Sequence, residues 1–286
     1  ENPLAVYNNE MEPIKPAVSA LDKAIKDAPE LSDQALAQHR FDDEVKSYQW
    51  DKKAYDRPRY SDINEQQTAT EPGEPYLIIP EKSNGLGVVL VHGFLATPAE
   101  LRGFAEKLLA AGHPVIGVRL KGHGTSPWDL RNRTWKEWLS SVRRGFQIMS
   151  ALTDQVCVIG FSSGGALALH LAAENPGKIA GVCAISAPLK FRNKNLVFVP
   201  LLHGVNKLTS WIPSLEGIMP FIDNDSEHPE INYRHIPVRG LYELSNMVNK
   251  MEDGLPNIQC AAAIFQGDED HVIDPESAEI IESKIG

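Results

Sequence analysis

The chain has no apolar run approaching the ~20 residues that a membrane-crossing helix needs, so no part of it reads as a transmembrane segment. Cysteine is scarce: Cys157, Cys183 and Cys260 are not closely spaced, and each lies in or beside an apolar, strand-like run. That pattern fits buried free thiols, not a disulfide framework or a zinc site. No cluster of His, Cys, Asp and Glu has metal-ligand spacing, and no G-x-G-x-x-G follows a strand, so neither a metal nor a nucleotide or flavin cofactor is expected. Positive charge is the minority, with 28 Lys and Arg against 38 Asp and Glu and a net charge of −10. An acidic surface argues against nucleic acid or an anionic membrane as the main partner. There is no internal repeat. One further absence shapes the reading of function: no histidine follows His271.

The 286 residues, 42% of them hydrophobic, suffice for one sizeable core or for one domain with an appendage. The first 75 residues differ from the rest, holding 16 acidic and 9 basic residues. Leu21, Ile25 and Ala28 recur at helical spacing. A second helix is expected from an N-cap at Ser32 through Leu36, His39 and Val45. Trp50, Tyr55 and Tyr60 are interspersed with charge, as in a segment that docks on a partner surface. Residues 1–75 therefore read as an acidic extension, helical or partly disordered. A cytoplasmic location is the expectation; because the chain begins with Glu1 and not Met, a periplasmic or secreted one stays open. A homo-oligomer is also left open.

From Tyr76 short apolar runs alternate with segments of helix length. The runs are residues 76–80, 87–93, 114–120, 155–162, 179–186 and 260–267; helices are expected at 98–111, 134–151, 164–174 and 275–285. Continuous apolar runs suit strands buried on both faces of a parallel sheet, and the alternation means an α/β fold with right-handed crossovers. Residues 187–258 interrupt the rhythm. They are apolar yet broken by Pro200, Gly204, Pro213, Gly217 and Pro220, with one helix expected at 242–251, and read as a cap or an extra packed layer inserted in a domain of residues 76–286.

The strongest local signal is Gly160-Phe161-Ser162-Ser163-Gly164, a G-x-S-x-G between a strand and a helix. Ser162 would sit on a sharp turn with its hydroxyl exposed. Side chains at 160 and 164 would collide across that turn, and Gly165 would let the helix approach the sheet. The N–H of Ser163, at the helix N-terminus, can face a developing oxyanion. A second strand ends in His92-Gly93, and the following loop can supply another donor, the Phe94 N–H. His92 and His123, the latter in a Gly-His-Gly turn, read as structural. Asp270, just past the last apolar run, can orient a histidine; Asp268 and Asp274 compete for that role, although Asp274 stands where it would cap the next helix, ahead of Pro275.

Taken in order, "HGF", "RLKGHGTSPWDLRNRTWKEWL", "GFSSGG" and "QGDEDHVIDPESA" resemble the α/β-hydrolase superfamily over about residues 76–286, and most closely its bacterial carboxylesterase and monoacylglycerol-lipase-like (serine aminopeptidase S33-type) branch. The resemblance implies a mostly parallel sheet flanked by helices, with residues 187–258 as lid. It also implies Ser162 as nucleophile, Asp270 as triad acid, and the N–H groups of Phe94 and Ser163 as oxyanion hole. The substrate implied is a small ester or lipid-like molecule. Where family members commonly carry Met after the nucleophile, this chain has Ser163. The order nucleophile, acid, histidine leaves the base unfilled. His271 is chain neighbour to Asp270 and diverges from it; His203, His228 and His235 lie in the insertion, and His170 on the helix behind the nucleophile. The expectation is therefore a chain shown without a final strand, its histidine and a closing helix. Acyltransferase, peptidase and non-catalytic binding functions on the same fold remain open alternatives.

Overall fold

All six apolar runs form strands in the computed structural model, which describes residues 15–27, 31–192 and 220–286. They are β1 (Tyr76–Ile78), β2 (Leu86–Val91), β3 (Val115–Val118), β4 (Gln155–Phe161), β5 (Gly181–Ile185) and, after two short strands that the sequence did not suggest, β6 (Phe221–Asp223) and β7 (His235–Pro237), β8 (Ala261–Phe265). The described helices are α1 (Lys15–Asp27), α2 (Asp33–Tyr55), α3 (Ser61–Asn64), α4 (Arg102–Ala110), α5 (Pro127–Arg131), α6 (Trp135–Ser150), α7 (Ser163–Glu174), α8 (Val238–Gly254) and α9 (Glu276–Lys284).

The main sheet has the order β1-β3-β2-β4-β5-β8, with β1 antiparallel and the other five strands parallel. The apolar runs reflect burial on both faces. Along β2, Val89 and Val91 join the larger core with α6 and α7, while Val88 and Leu90 pack with Ala105 of α4 on the opposite face. Helix α7 is buried continuously from Ser163 to Ala172 because α6, α8 and the sheet enclose it. Each fully buried leucine there contributes about 1.5–3 kcal/mol of transfer free energy. Strand β8 is paired on one side, to β5, and exposes most of its residues, Phe265 to 58%. The three cysteines are free but only half-buried, a correction to the expectation of buried thiols.

Ser32 caps α2, its Oγ accepting the Ala35 N–H at 3.3 Å. This helix docks through charge as well as through an apolar patch, in which Ala37 is fully buried and Phe41 packs against the main core. Arg119 and Lys121 each donate to Asp51 Oδ2 at 2.7 Å, and Arg133 reaches Oδ1 at 3.2 Å. Glu44 pairs with Arg144. Arg119 also donates to the His123 carbonyl at 3.2 Å, tying the helix to the Gly-His-Gly turn. Tyr55 and Tyr60 stack on one another, and Tyr60 on Trp128, so these aromatics dock within the chain; Trp50 alone stays 79% exposed.

Beyond α3 the backbone crosses that turn closely enough that a Cβ on Gly73 would lie 2.5 Å from the Gly124 Cα. Before that crossing it binds the region around β7: Gln67 contacts His235 Nδ1 at 2.9 Å and accepts the Arg234 N–H at 3.0 Å, and the Thr70 N–H donates to the Glu230 carbonyl at 2.8 Å. Of the expected insertion, residues 193–219, which include His203, lie outside the described residues. Strands β6 and β7 pair antiparallel, and α8 extends the expected 242–251 helix at both ends.

Candidate active site

Ser162 stands between the C-terminal end of β4 and the first residue of α7 with φ 51° and ψ −123°. That left-handed conformation is costly for a residue with a Cβ and needs strong surroundings to hold it. Two contacts supply them: the Ser162 N–H donates to the Ile185 carbonyl of β5 at 2.8 Å, and its carbonyl accepts from the Gly165 N–H at 2.9 Å. A Cβ on Gly160 would meet the Gly164 backbone across the turn. A Cβ on Gly164 would instead strike the Val91 and His92 carbonyls of the neighbouring strand, so the second glycine clears the sheet and not the turn itself. At Gly165 an added Cβ would stand 3.1 Å from the Ala187 Cβ, the close helix–sheet approach anticipated from the motif.

The loop after β2 lies alongside. His92 is 1% exposed. Its Nδ1 contacts the Gly93 carbonyl at 2.8 Å, and its Nε2 accepts the Leu120 N–H at 3.2 Å. An Nε2 that accepts leaves Nδ1 as the protonated nitrogen, so the ring is neutral. Burial keeps it so, lowering its pKa to about 4. The Gly93 carbonyl and the Phe94 N–H belong to one peptide unit, so the imidazole that holds the carbonyl also sets the direction of the N–H. His123 is fully buried among His92, Phe94 and Trp138. Tyr233 pins the segment before β7 here: its hydroxyl donates to the Gly122 carbonyl at 2.9 Å and accepts the Thr125 N–H at 2.7 Å, and its N–H donates to the Leu95 carbonyl at 3.1 Å. Among the described residues, the Phe94 and Ser163 N–H groups have no backbone acceptor.

Asp270 follows β8, two strands from β4 and at the same edge of the sheet as Ser162. Its Oδ1 accepts the Val272 and Ile273 N–H groups, both at 2.9 Å, and its Oδ2 the Gln266 side-chain amide at 3.1 Å. Burial alone would raise its pKa, but these donors together with Ser186 outweigh it and hold the carboxyl below its ordinary value. Asp268 is exposed and offers its backbone carbonyl to Arg192 at 2.8 Å. Asp274 accepts the Glu276 N–H at 3.1 Å, the capping role expected of it. His271 is exposed, His235 is held by Gln67, and His170 is packed edge-on against Trp135. Gln266, Ser186 (φ 48°) and Glu100 carry no motif signal in the sequence. The last is partly buried, with Oε2 accepting the Gly93 N–H at 2.7 Å. No group of three or more metal-ligating side chains occurs among the described residues, and no described helix is long and apolar enough to cross a membrane.

A family model described as serine aminopeptidase, S33, matches residues 84–286, most of the chain. The chain belongs to that family. Its fold is that of the α/β-hydrolases. It is 32% identical over 222 residues to a thermostable monoacylglycerol lipase from Bacillus sp. (strain H-257), covering 77% of this chain and 83% of that protein. Against a carboxylesterase of Bacillus subtilis (strain 168) the identity is 24% over 205 residues, 71% of this chain and 80% of the other. A solved structure of the metagenome-derived lipolytic enzymes LipS and LipT superposes with a TM-score of 0.65 at 28% identity, covering 76% of this chain and 85% of that one. The match begins at residue 84, so the docked α2 and the crossing segment lie outside the family model.

Proposed function

We propose that the protein is a serine hydrolase that cleaves carboxylic esters, with monoglycerides and esters of medium acyl chains as its substrate class. The observation that carries the reading is Ser162, held at φ 51° between a buried parallel strand and a buried helix. In a chain 32% identical to a monoacylglycerol lipase, that is the placement a nucleophile needs.

In this reading Ser162 Oγ attacks the ester carbonyl. The oxyanion that forms receives the N–H groups of Phe94 and Ser163, the first oriented through the His92–Gly93 contact and the second by the helix start. The alcohol leaves, and water releases the acid from the acyl-enzyme. Asp270, kept ionised by four donors, orients the histidine that serves as base. None of the described histidines is assigned that role. Residues 187–258 act as the lid: Tyr233 binds this region to the turn behind Phe94, and Gly240 of α8 faces the Phe94 ring.

The test is a panel of p-nitrophenyl esters from acetate to palmitate, together with a monoglyceride and an aminoacyl anilide. Hydrolysis greatest for medium chains and for the monoglyceride supports the proposal; cleavage of the anilide alone would replace it with a peptidase.

A further inference from the structure

Glu100 is a carboxyl placed beside the nucleophile. A point at the Cβ position of Gly93 lies 3.4 Å and 3.6 Å from its two carboxyl oxygens and 3.5 Å from the Ser162 Cβ, so acid and serine flank the same glycine. Its Oε2 accepts the Gly93 N–H at 2.7 Å while His92 Nδ1 donates to the Gly93 carbonyl at 2.8 Å. The two peptide units that meet at Gly93 are thereby fixed from opposite sides, and the second of them carries the Phe94 N–H.

Resting on the reading of Ser162 as nucleophile, we infer that Glu100 is a positioning residue of the oxyanion loop and that its protonated form is the competent one. A neutral carboxyl still accepts the Gly93 N–H through its carbonyl oxygen and so still holds the loop. An ionised one holds it too, but sets a negative charge in a poorly solvated pocket beside the place where the substrate oxygen becomes negative. Burial is what brings the switch into range, raising the Glu100 pKa to about 7; the Gly93 N–H and the His228 imidazole pull it partly back. The groups facing it are therefore the Gly93 N–H on its own loop, Ser162 at the head of α7, and His228 from the segment between β6 and β7. Arg102, two residues on, is turned to Glu106 at 3.5 Å and to the Tyr76 ring. A histidine base gains activity as pH rises; the Glu100 charge works against that gain above neutrality.

The experiment follows the rate at which a fluorophosphonate labels Ser162 in the full chain and in its Glu100→Gln and Glu100→Ala variants, from about pH 6 to about pH 9. Glutamine is a neutral isostere that keeps the acceptor. The ratio of the Gln variant to wild type should rise roughly tenfold across that range, and the Ala variant, which frees the Gly93 N–H, should be slower than the Gln variant throughout. Parallel profiles for wild type and the Gln variant overturn the inference. Carbon-13 titration of the glutamate carboxyl signal that the Gln variant lacks gives a readout independent of turnover. A midpoint near 7 supports the gate, whereas a midpoint near 4.5, the ordinary glutamate value, overturns it even if Ser162 reacts. Failure of Ser162 to react at any pH overturns the hydrolase reading, and the gate with it.

Discussion

At the scale of single residues, glycines and one strained serine build the site. Gly164 tolerates no side chain, since an added Cβ would sit against the Val91 carbonyl and 2.5 Å from that of His92, both rigid backbone. Gly164→Ala should therefore destabilise the protein by at least about 2 kcal/mol in urea unfolding, or displace the turn that carries Ser162. Gly103 on α4 is the opposite case, with nothing within 4 Å of an added Cβ. Gly103→Ala should raise stability by about 0.5–1 kcal/mol in the same assay, because it removes unfolded-state freedom at no steric cost. Both outcomes follow from surroundings and not from residue type. The motif signalled that glycine was needed at 160 and 164, but only the neighbouring strand explains why at 164. Glu100 was invisible for the same reason: nothing in "HGFLATPAEL" says that its carboxyl returns to Gly93.

At the scale of elements, the strands were legible, and in the extension the helix that Ser32 caps was legible while the way it docks was not. Runs such as "VVLV" are apolar at every position because β2 is covered on both faces, and that continuity is a strong signal. Helix α2 gives a weaker signal because much of its docking side is polar, Ala37 and Phe41 being the apolar residues that reach the core. Asp51, Glu44 and Ser47 engage Arg119, Arg144 and Lys121, so a reading based on apolar periodicity left this segment open between helix and tail. Strands β6 and β7, three residues each, are too short to show a period. The polar dock makes a prediction of its own. Asp51→Ala leaves Arg119, which is 4% exposed, without its carboxylate, and should cost about 2–3 kcal/mol in urea unfolding, after allowance for the partly open Lys121 and Arg133 ends of the network. A loss below about 0.5 kcal/mol would mean that α2 contributes little to the fold.

At the scale of the whole molecule, buried titratable groups set how stability depends on pH. Burial would raise the Asp51 carboxyl, but hydrogen bonds from Lys121 and Arg119 outweigh it and hold the group below its ordinary 3.8. A depressed carboxyl stabilises the fold above its unfolded value, and that contribution is lost as pH falls through the folded one. His92 acts earlier. It stays neutral in the fold down to about 4, whereas its unfolded value is 6.5, so from about pH 6.5 downward the unfolded state gains a proton that the native state refuses. Glu100 takes up a proton in the fold over the same window and offsets His92, but His123, which burial likewise holds well below 6.5, refuses a second proton, so the melting temperature should begin to fall below about pH 6.5 and drop further below about pH 4. In Asp51→Ala the second decline should be shallower while the first persists.

The central claim is that Ser162 is a nucleophile presented by this fold, and covalent labelling with mass analysis tests it most directly. A fluorophosphonate should add one probe mass to the intact protein, the modified peptide should contain Ser162, and Ser162→Ala should abolish the adduct, with ester hydrolysis falling by about 10⁴-fold or more. Labelling at another residue, or equal labelling of wild type and Ser162→Ala, would contradict the account.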